Sequence, residues 1–127
     1  MYKKTIKFTD YNGVEHTTDA YFNLNKAELI EMNMNEEGGL EATIRKISLT
    51  TDTKELMRLF KQIILGAYGE KSADGMRFVK KPELTEAFEQ SCAYPELLVE
   101  LINDSDEAAR FINNVVPKDV QNKADNN

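Results

Sequence analysis

The hydrophobic period of this chain changes once, at Asn23, from two residues to about 3.6. Before that point Thr5-Ile6-Lys7-Phe8-Thr9 and Val14 to Phe22 flank Asp10-Tyr11-Asn12-Gly13, and Asn-Gly supplies the positive φ that a tight hairpin turn requires. After it, apolar residues recur mainly at helical spacing. A hairpin leading into helices predicts an α+β fold, mostly α, with the N-terminal β-hairpin packed on a bundle of about five to six short helices.

The hairpin register follows from which face must be dry. A two-residue Asn12-Gly13 loop would pair Phe8 with Thr17 and Ile6 with Asp19, leaving the apolar side chains of the two strands on opposite faces. A three-residue loop, Tyr11 to Gly13, pairs Tyr2 with Phe22, Lys4 with Ala20, Ile6 with Thr18 and Phe8 with His16. One face then collects the apolar residues and Gly13 becomes a left-handed bulge residue, so this register is expected.

Asn25 can cap a first helix from about Lys26 to Met34, with Glu28 three residues on completing a capping box. Gly38-Gly39 interrupts it, and Leu40, Ile44 and Ile47 share one face of a second short helix. Asp52 or Thr53 caps the strongest helix, whose stripe is Leu56, Leu59, Phe60, Ile63, Ile64 and Ala67, and Gly69 is expected to end it as a C-cap. Residues 70 to 81 have no helical stripe, and Asp74-Gly75 with extended Met76 to Val79 reads as a loop or short strand pair. Pro82 and Pro95 suit the first turns of two further helices, and Ser105 is the expected cap of a last one through Ala108, Phe111, Ile112 and Val115, stopped by Pro117. One globular domain over 1–117 is expected, with hairpin 2–22 and helices 26–116; the polar tail 118–127 cannot bury enough surface to offset its ordering entropy and is expected to be disordered.

Charge excludes some partners. With 22 acidic against 16 basic residues and a net charge of −6, the chain lacks the basic surface that nucleic acid or an anionic membrane would select. The longest apolar runs fall far short of the ~20 residues of a membrane helix, and Met1-Tyr2-Lys3-Lys4 is followed by no apolar segment of the kind a signal peptide carries.

Chemistry is sparse. His16 is the only histidine, so a triad or histidine metal site would need distant partners, and its place opposite Phe8 or at the hairpin end argues for a structural role. Cys92 is the only cysteine, excluding an internal disulfide; it has no basic neighbour or evident helix start beside it and follows an apolar helical face, where free cysteines are commonly buried. Lys71-Ser72-Ala73-Asp74-Gly75 lacks the alternating oxygen ligands of a calcium loop, and Gly66 to Ser72 lacks phosphate-loop spacing. No catalytic residue, metal site or cofactor is therefore expected.

The charge distribution says more. Glu83, Glu86, Glu89, Glu96, Glu100, Asp104, Asp106 and Glu107 follow Pro82 with no Lys or Arg before Ala109, whereas Arg77, Lys80 and Lys81 lie just ahead. An ordinary solvated face is the simplest account; a docking surface is the sharper one. On the latter, candidate protein contacts are Met32, Met34 and Met57 as adaptable side chains, Phe78 and Tyr94 as aromatic anchors beside Tyr68, and Glu86, Glu89, Glu96 and Glu100.

Several stretches together resemble the small tail assembly chaperones of long-tailed, siphovirus-type phages and prophages of Gram-positive bacteria. They are Lys3-Lys4-Thr5-Ile6-Lys7-Phe8-Thr9-Asp10-Tyr11-Asn12-Gly13; Phe22-Asn23-Leu24-Asn25-Lys26-Ala27-Glu28-Leu29; Gly38-Gly39-Leu40; Tyr68-Gly69-Glu70-Lys71-Ser72 with Gly75 and Arg77-Phe78; and Phe111-Ile112-Asn113 with Val116-Pro117-Lys118-Asp119. The resemblance implies a non-enzymatic protein of the host cytoplasm, absent from the mature virion, that binds the tape measure protein and keeps it soluble during tail tube assembly. It leaves room for contact with the major tail tube protein, for a homo-oligomer, and for a longer frameshifted product. A competing reading, an inhibitor of a host defence or nucleic-acid enzyme, would use the acidic face as a mimic of DNA.

Overall fold

The computed structural model describes residues 1–33, 45, 47, 49 and 51–116. Strands β1 (Tyr2–Thr9) and β2 (Glu15–Phe22) lead into helix α1 (Lys26–Asn33); α2 (Thr53–Ala67) follows, then β3 (Tyr68–Lys71), β4 (Phe78–Val79), α3 (Pro82–Gln90), α4 (Ala93–Asn103) and α5 (Ser105–Val115). The fold is α+β and mostly α, with an N-terminal antiparallel hairpin as the sequence predicts. The expected short helix over Leu40 to Ile47, the stop at Pro117 and the tail 118–127 lie outside the described residues, apart from Arg45 and Ile47.

The hairpin adopts the three-residue loop. Tyr2 pairs with Phe22, Lys4 with Ala20, Ile6 with Thr18 and Phe8 with His16. Asp10 N–H donates to Val14 O at 2.8 Å, Gly13 N–H donates to Asp10 O at 3.0 Å, and Gly13 has φ +82, the left-handed value expected of the bulge residue. The Asp10 carboxylate accepts from the Asn12 and Val14 amides, which ties the turn down. Ile6, Ala20 and Phe22 are buried on the inner face, while Lys3, Thr5 and Lys7 are exposed on the outer one.

The hairpin is part of a larger sheet in the order β1-β2-β3-β4. The strand pair expected within residues 70 to 81 exists, begins earlier, and adds to β2 through Tyr21↔Gly69 and Phe22↔Tyr68. This corrects the expectation for Gly69. Helix α2 ends at Ala67, with Tyr68 as an extended C-cap, and Gly69 is a buried strand residue. A Cβ there would lie 2.7 Å from Phe78 Cε2 and 2.8 Å from Val79 O, so the position needs glycine for close approach and not for a left-handed cap. Gly75, by contrast, does turn with φ +75, and the Asp74 carboxylate accepts from Met76 N–H and Ser72 Oγ–H around it.

The helix starts follow local chemistry with two changes. Asn25 and Glu28 form the reciprocal capping box, and Asp52 caps α2 by accepting from Lys54 N–H. Pro82 opens α3 at its first turn, and Pro95 sits in the first turn of α4, which starts two residues earlier at Ala93. Asp104, not Ser105, caps α5: its carboxylate accepts from the Asp106 and Glu107 amides, which the shorter serine side chain one residue later does not do. Cys92 occupies the N-cap position of α4, half-buried, so it begins that helix and does not lie within an apolar face.

Phe22 sits at the centre of the core. Its fully buried ring meets Tyr68, Phe88 and Phe111 edge-on at centroid distances of 5.8, 5.8 and 5.2 Å, and Tyr68 stacks on Phe88 at 4.2 Å. Those rings come from β2, β3, α3 and α5, so one side chain locks sheet to helices. Beyond β2, Asn23 N–H donates to Ala67 O and Leu24 N–H donates to Val115 O, tying the chain to the ends of α2 and α5. The Lys80 ammonium donates to Asn23 O, Gly66 O and the Glu28 carboxylate, closing the same junction from the residue just after β4.

Gly69→Ala is expected to destabilise the fold by about 1–3 kcal/mol, because the methyl group meets strand backbone that cannot give way. Urea unfolding should show a lower midpoint with an unchanged slope, whereas Gly66→Ala, where a Cβ meets nothing within 4 Å, should not lower it.

Candidate interaction surface

The acidic run of α3 to α5 does not form a single free face. Glu100 and Glu107 point at β1, where the Lys4 ammonium donates to them at 2.8 and 3.0 Å. Glu107 is 4% exposed and also accepts from the Tyr2 hydroxyl at 2.7 Å and from the Arg110 guanidinium. Lys4 is thus an inward-pointing charge on the apolar face of the hairpin, satisfied by two carboxylates from the helices beneath it. The Tyr2 ring completes the contact edge-on to Phe111 at 5.7 Å.

Burial alone would raise the Glu107 pKa, yet the Tyr2 hydroxyl, the Lys4 ammonium and Arg110 outweigh it and hold this carboxyl below its ordinary value of 4.5. Burial likewise opposes charge on Lys4, but Glu100 and Glu107 carry its pKa above the ordinary value. The remaining contacts proposed from sequence are scattered. Glu89 pairs with Lys61 at 3.1 Å, and Glu86 is exposed on α3. Glu96 faces a polar hollow with Lys7, Phe8 and His16, where His16 stacks on Phe8 at 5.4 Å and bonds the Asp10 carboxylate at 2.6 Å. His16 is therefore a structural residue of the hairpin end.

Tyr94 is not a surface anchor: it is 9% exposed and packs edge-on to Phe88 at 6.0 Å, because its place in the first turn of α4 faces the core. Phe78 is half-buried over Gly69, with the Lys80 ammonium 5.7 Å from its ring centre, and so is held within the sheet. Met57 stands 41% exposed on α2. Met34 and the side chain of Met32 lie outside the described residues.

The structure instead assembles an apolar groove that the sequence reading does not single out. Its volume is about 290 Å³, and it runs between Leu56 and Phe60 of α2, Leu101 and Ile102 of α4, and Ala108, Ala109 and Ile112 of α5, with Ile47 beside them. Ser105, Ala108 and Ala109 at helical spacing keep α5 thin there, so the neighbouring helices leave a trough between them. No single stretch signals it, because Leu97, Leu98, Leu101 and Ile102 on α4 form the ordinary stripe of one buried face. Among the described residues, no group of three or more His, Cys, Asp or Glu side chains could hold a metal ion.

Among the described residues, the most apolar concavity of this mostly helical domain is the groove between α2, α4 and α5, a surface of the kind that takes up an apolar partner. The family model described as phage tail assembly chaperone matches residues 1–127, the whole chain, and the protein belongs to that family. Comparison with curated proteins and with solved structures returns no significant match.

Glu107→Gln tests the ionic junction. Because the folded pKa of Glu107 is depressed, its contribution is fully present above about pH 4.5, the unfolded value, and is lost as pH falls through the lower folded value. The wild-type chain should lose thermal stability on acidification through this window. The variant should start about 1–3 kcal/mol less stable at pH 7 and lose less on acidification, read by thermal unfolding at pH 7 and pH 3.

Proposed function

We propose that this chain is a non-enzymatic chaperone of the host cytoplasm that binds the tape measure protein and keeps it soluble while tail tube subunits assemble around it, and that it does not remain in the mature virion. Family membership makes it a tail assembly chaperone with protein partners in that process. The observation that carries the finer reading is the apolar groove between α2, α4 and α5.

A tape measure is on this reading a long amphipathic helix, and its bare apolar stripe would aggregate in water. A trough floored by Ala108 and Ala109 and walled by Leu56, Phe60 and Ile102 accepts such a stripe in the helix-in-groove manner, with bulky side chains of the guest entering above the small residues. Each copy would cover only a few turns. Many copies along one tape measure would then protect it without any single site binding tightly, which suits a chaperone that must leave as the tube advances.

Co-expression with the tape measure protein tests the reading. The tape measure should become soluble and co-purify with this chain, and it should stay insoluble and unbound without it. Ala109→Glu places a charge in the groove lining at an exposed position, so it should reduce co-purified tape measure about tenfold without changing the thermal midpoint of the free chain. Val99→Glu, exposed on α4 and not among the groove residues, should leave capture intact. A tape measure that remains insoluble in the presence of the wild-type chain overturns the proposal.

A further inference from the structure

Strand β1 is an edge strand of the sheet, and its eight residues pair with β2 along their whole length. The Asp10 to Val14 hydrogen bond sets the alternation, so Tyr2, Lys4, Ile6 and Phe8 exchange backbone bonds with β2 while the amides and carbonyls of Lys3, Thr5, Lys7 and Thr9 face outward. Among the described residues these outward groups have no backbone partner, and β1 contains neither proline nor a bulge to blunt the edge.

The edge is also electrostatically distinct. In a chain of net charge −6, β1 carries Lys3, Lys4 and Lys7 and no acidic residue. Lys4 points inward and is satisfied by Glu100 and Glu107. Lys3 and Lys7 point outward on the exposed face, opposite Tyr21 and Thr17, and the nearby Asp19 carboxylate is taken by the Thr5 hydroxyl at 2.7 Å. A second copy is a poor occupant, since antiparallel pairing of two β1 strands centred on Thr5 would set Lys3 against Lys7 on both sides.

We propose that the free edge of β1 takes up an extended segment of a partner protein as an added strand, one with acidic residues four apart on its outer face and apolar residues on the alternate face. The acidic pair meets Lys3 and Lys7, and the apolar side chains lie beside the half-buried rings of Tyr2 and Phe8. Main-chain bonds to Lys3, Thr5, Lys7 and Thr9 supply the attachment, and the lysines select the sign of charge. The inference stands apart from the tape measure reading, because a different surface of the molecule carries it.

The test uses the isotope-labelled full chain and two synthetic ten-residue peptides, one alternating Glu with Val and the other alternating Lys with Val. At low ionic strength the Glu peptide should slow amide exchange at Lys3, Thr5, Lys7 and Thr9 by at least about tenfold, with little change at Lys4, Ile6 and Phe8, which β2 already protects. The Lys peptide should not. Thr5→Pro removes an outward donor and spares the β1–β2 ladder, so it should abolish the effect while Ile6 stays protected. Lys3→Glu with Lys7→Glu is the second variant, which does not rely on tolerance of proline, and it should reverse the preference towards the Lys peptide. Failure of the Glu peptide to protect the outward amides, equal protection in the Lys3→Glu, Lys7→Glu variant, or protection that arises from dimerisation without peptide overturns the proposal. No tape measure protein is present, so neither outcome bears on the chaperone reading.

Discussion

The arrangement depends on Phe22 being both the last residue of a strand and the centre of an aromatic cluster. Its ring receives edges from Tyr68, Phe88 and Phe111, which arrive on three separate elements, while its backbone pairs with Tyr2 on one side and Tyr68 on the other. A side chain so placed fixes the sheet and the helices at once, because edge-on ring contacts constrain orientation as well as distance. The junction that follows, from Asn23 and Leu24 to the ends of α2 and α5, is short and made of backbone bonds, so the helices inherit their position from the strand.

The second constraint is ionic. Lys4 belongs to the apolar face of the hairpin by register, and a lone ammonium there would cost several kcal/mol of lost hydration. Glu100 and Glu107 resolve this, and in doing so they turn an acidic stretch that looks like a free docking face into part of the internal wiring. Charge that is segregated along the sequence is therefore partly neutralised in space. Among the described residues, the surfaces proposed for partners are an apolar trough between helices and a basic strand edge on a chain that is acidic overall.

Both proposed surfaces are places where a tail assembly chaperone can hold a protein partner. Among the described residues, His16 is bound to Asp10 at the hairpin end, Cys92 starts a helix, and Tyr2, Tyr68 and Tyr94 pack against core rings. A helix-accepting groove needs only small residues under large ones, and a free strand edge needs only unpaired backbone. Neither demands a diagnostic motif, which is why family resemblance and not local chemistry pointed to tail assembly.

What the sequence by itself determined is local. The Asn12-Gly13 turn, the two-residue alternation around it, the Asn25–Glu28 box, the Asp74-Gly75 turn and the proline-marked helix starts are each written in neighbouring residues, and each holds in the fold. What only the tertiary structure decided is which surfaces are spent and which remain. Gly69 looked like a helix cap because glycine serves both left-handed caps and close strand crossings, and only the approach of Phe78 and Val79 distinguishes them. Tyr94 and Glu100 looked like contact residues because an aromatic or a carboxylate on an amphipathic helix is equally at home outside or paired within. Their partners, Phe88 close by and Lys4 nearly a whole chain away, are set by packing between elements, and a groove assembled from three helices has no representation in any one stretch of sequence.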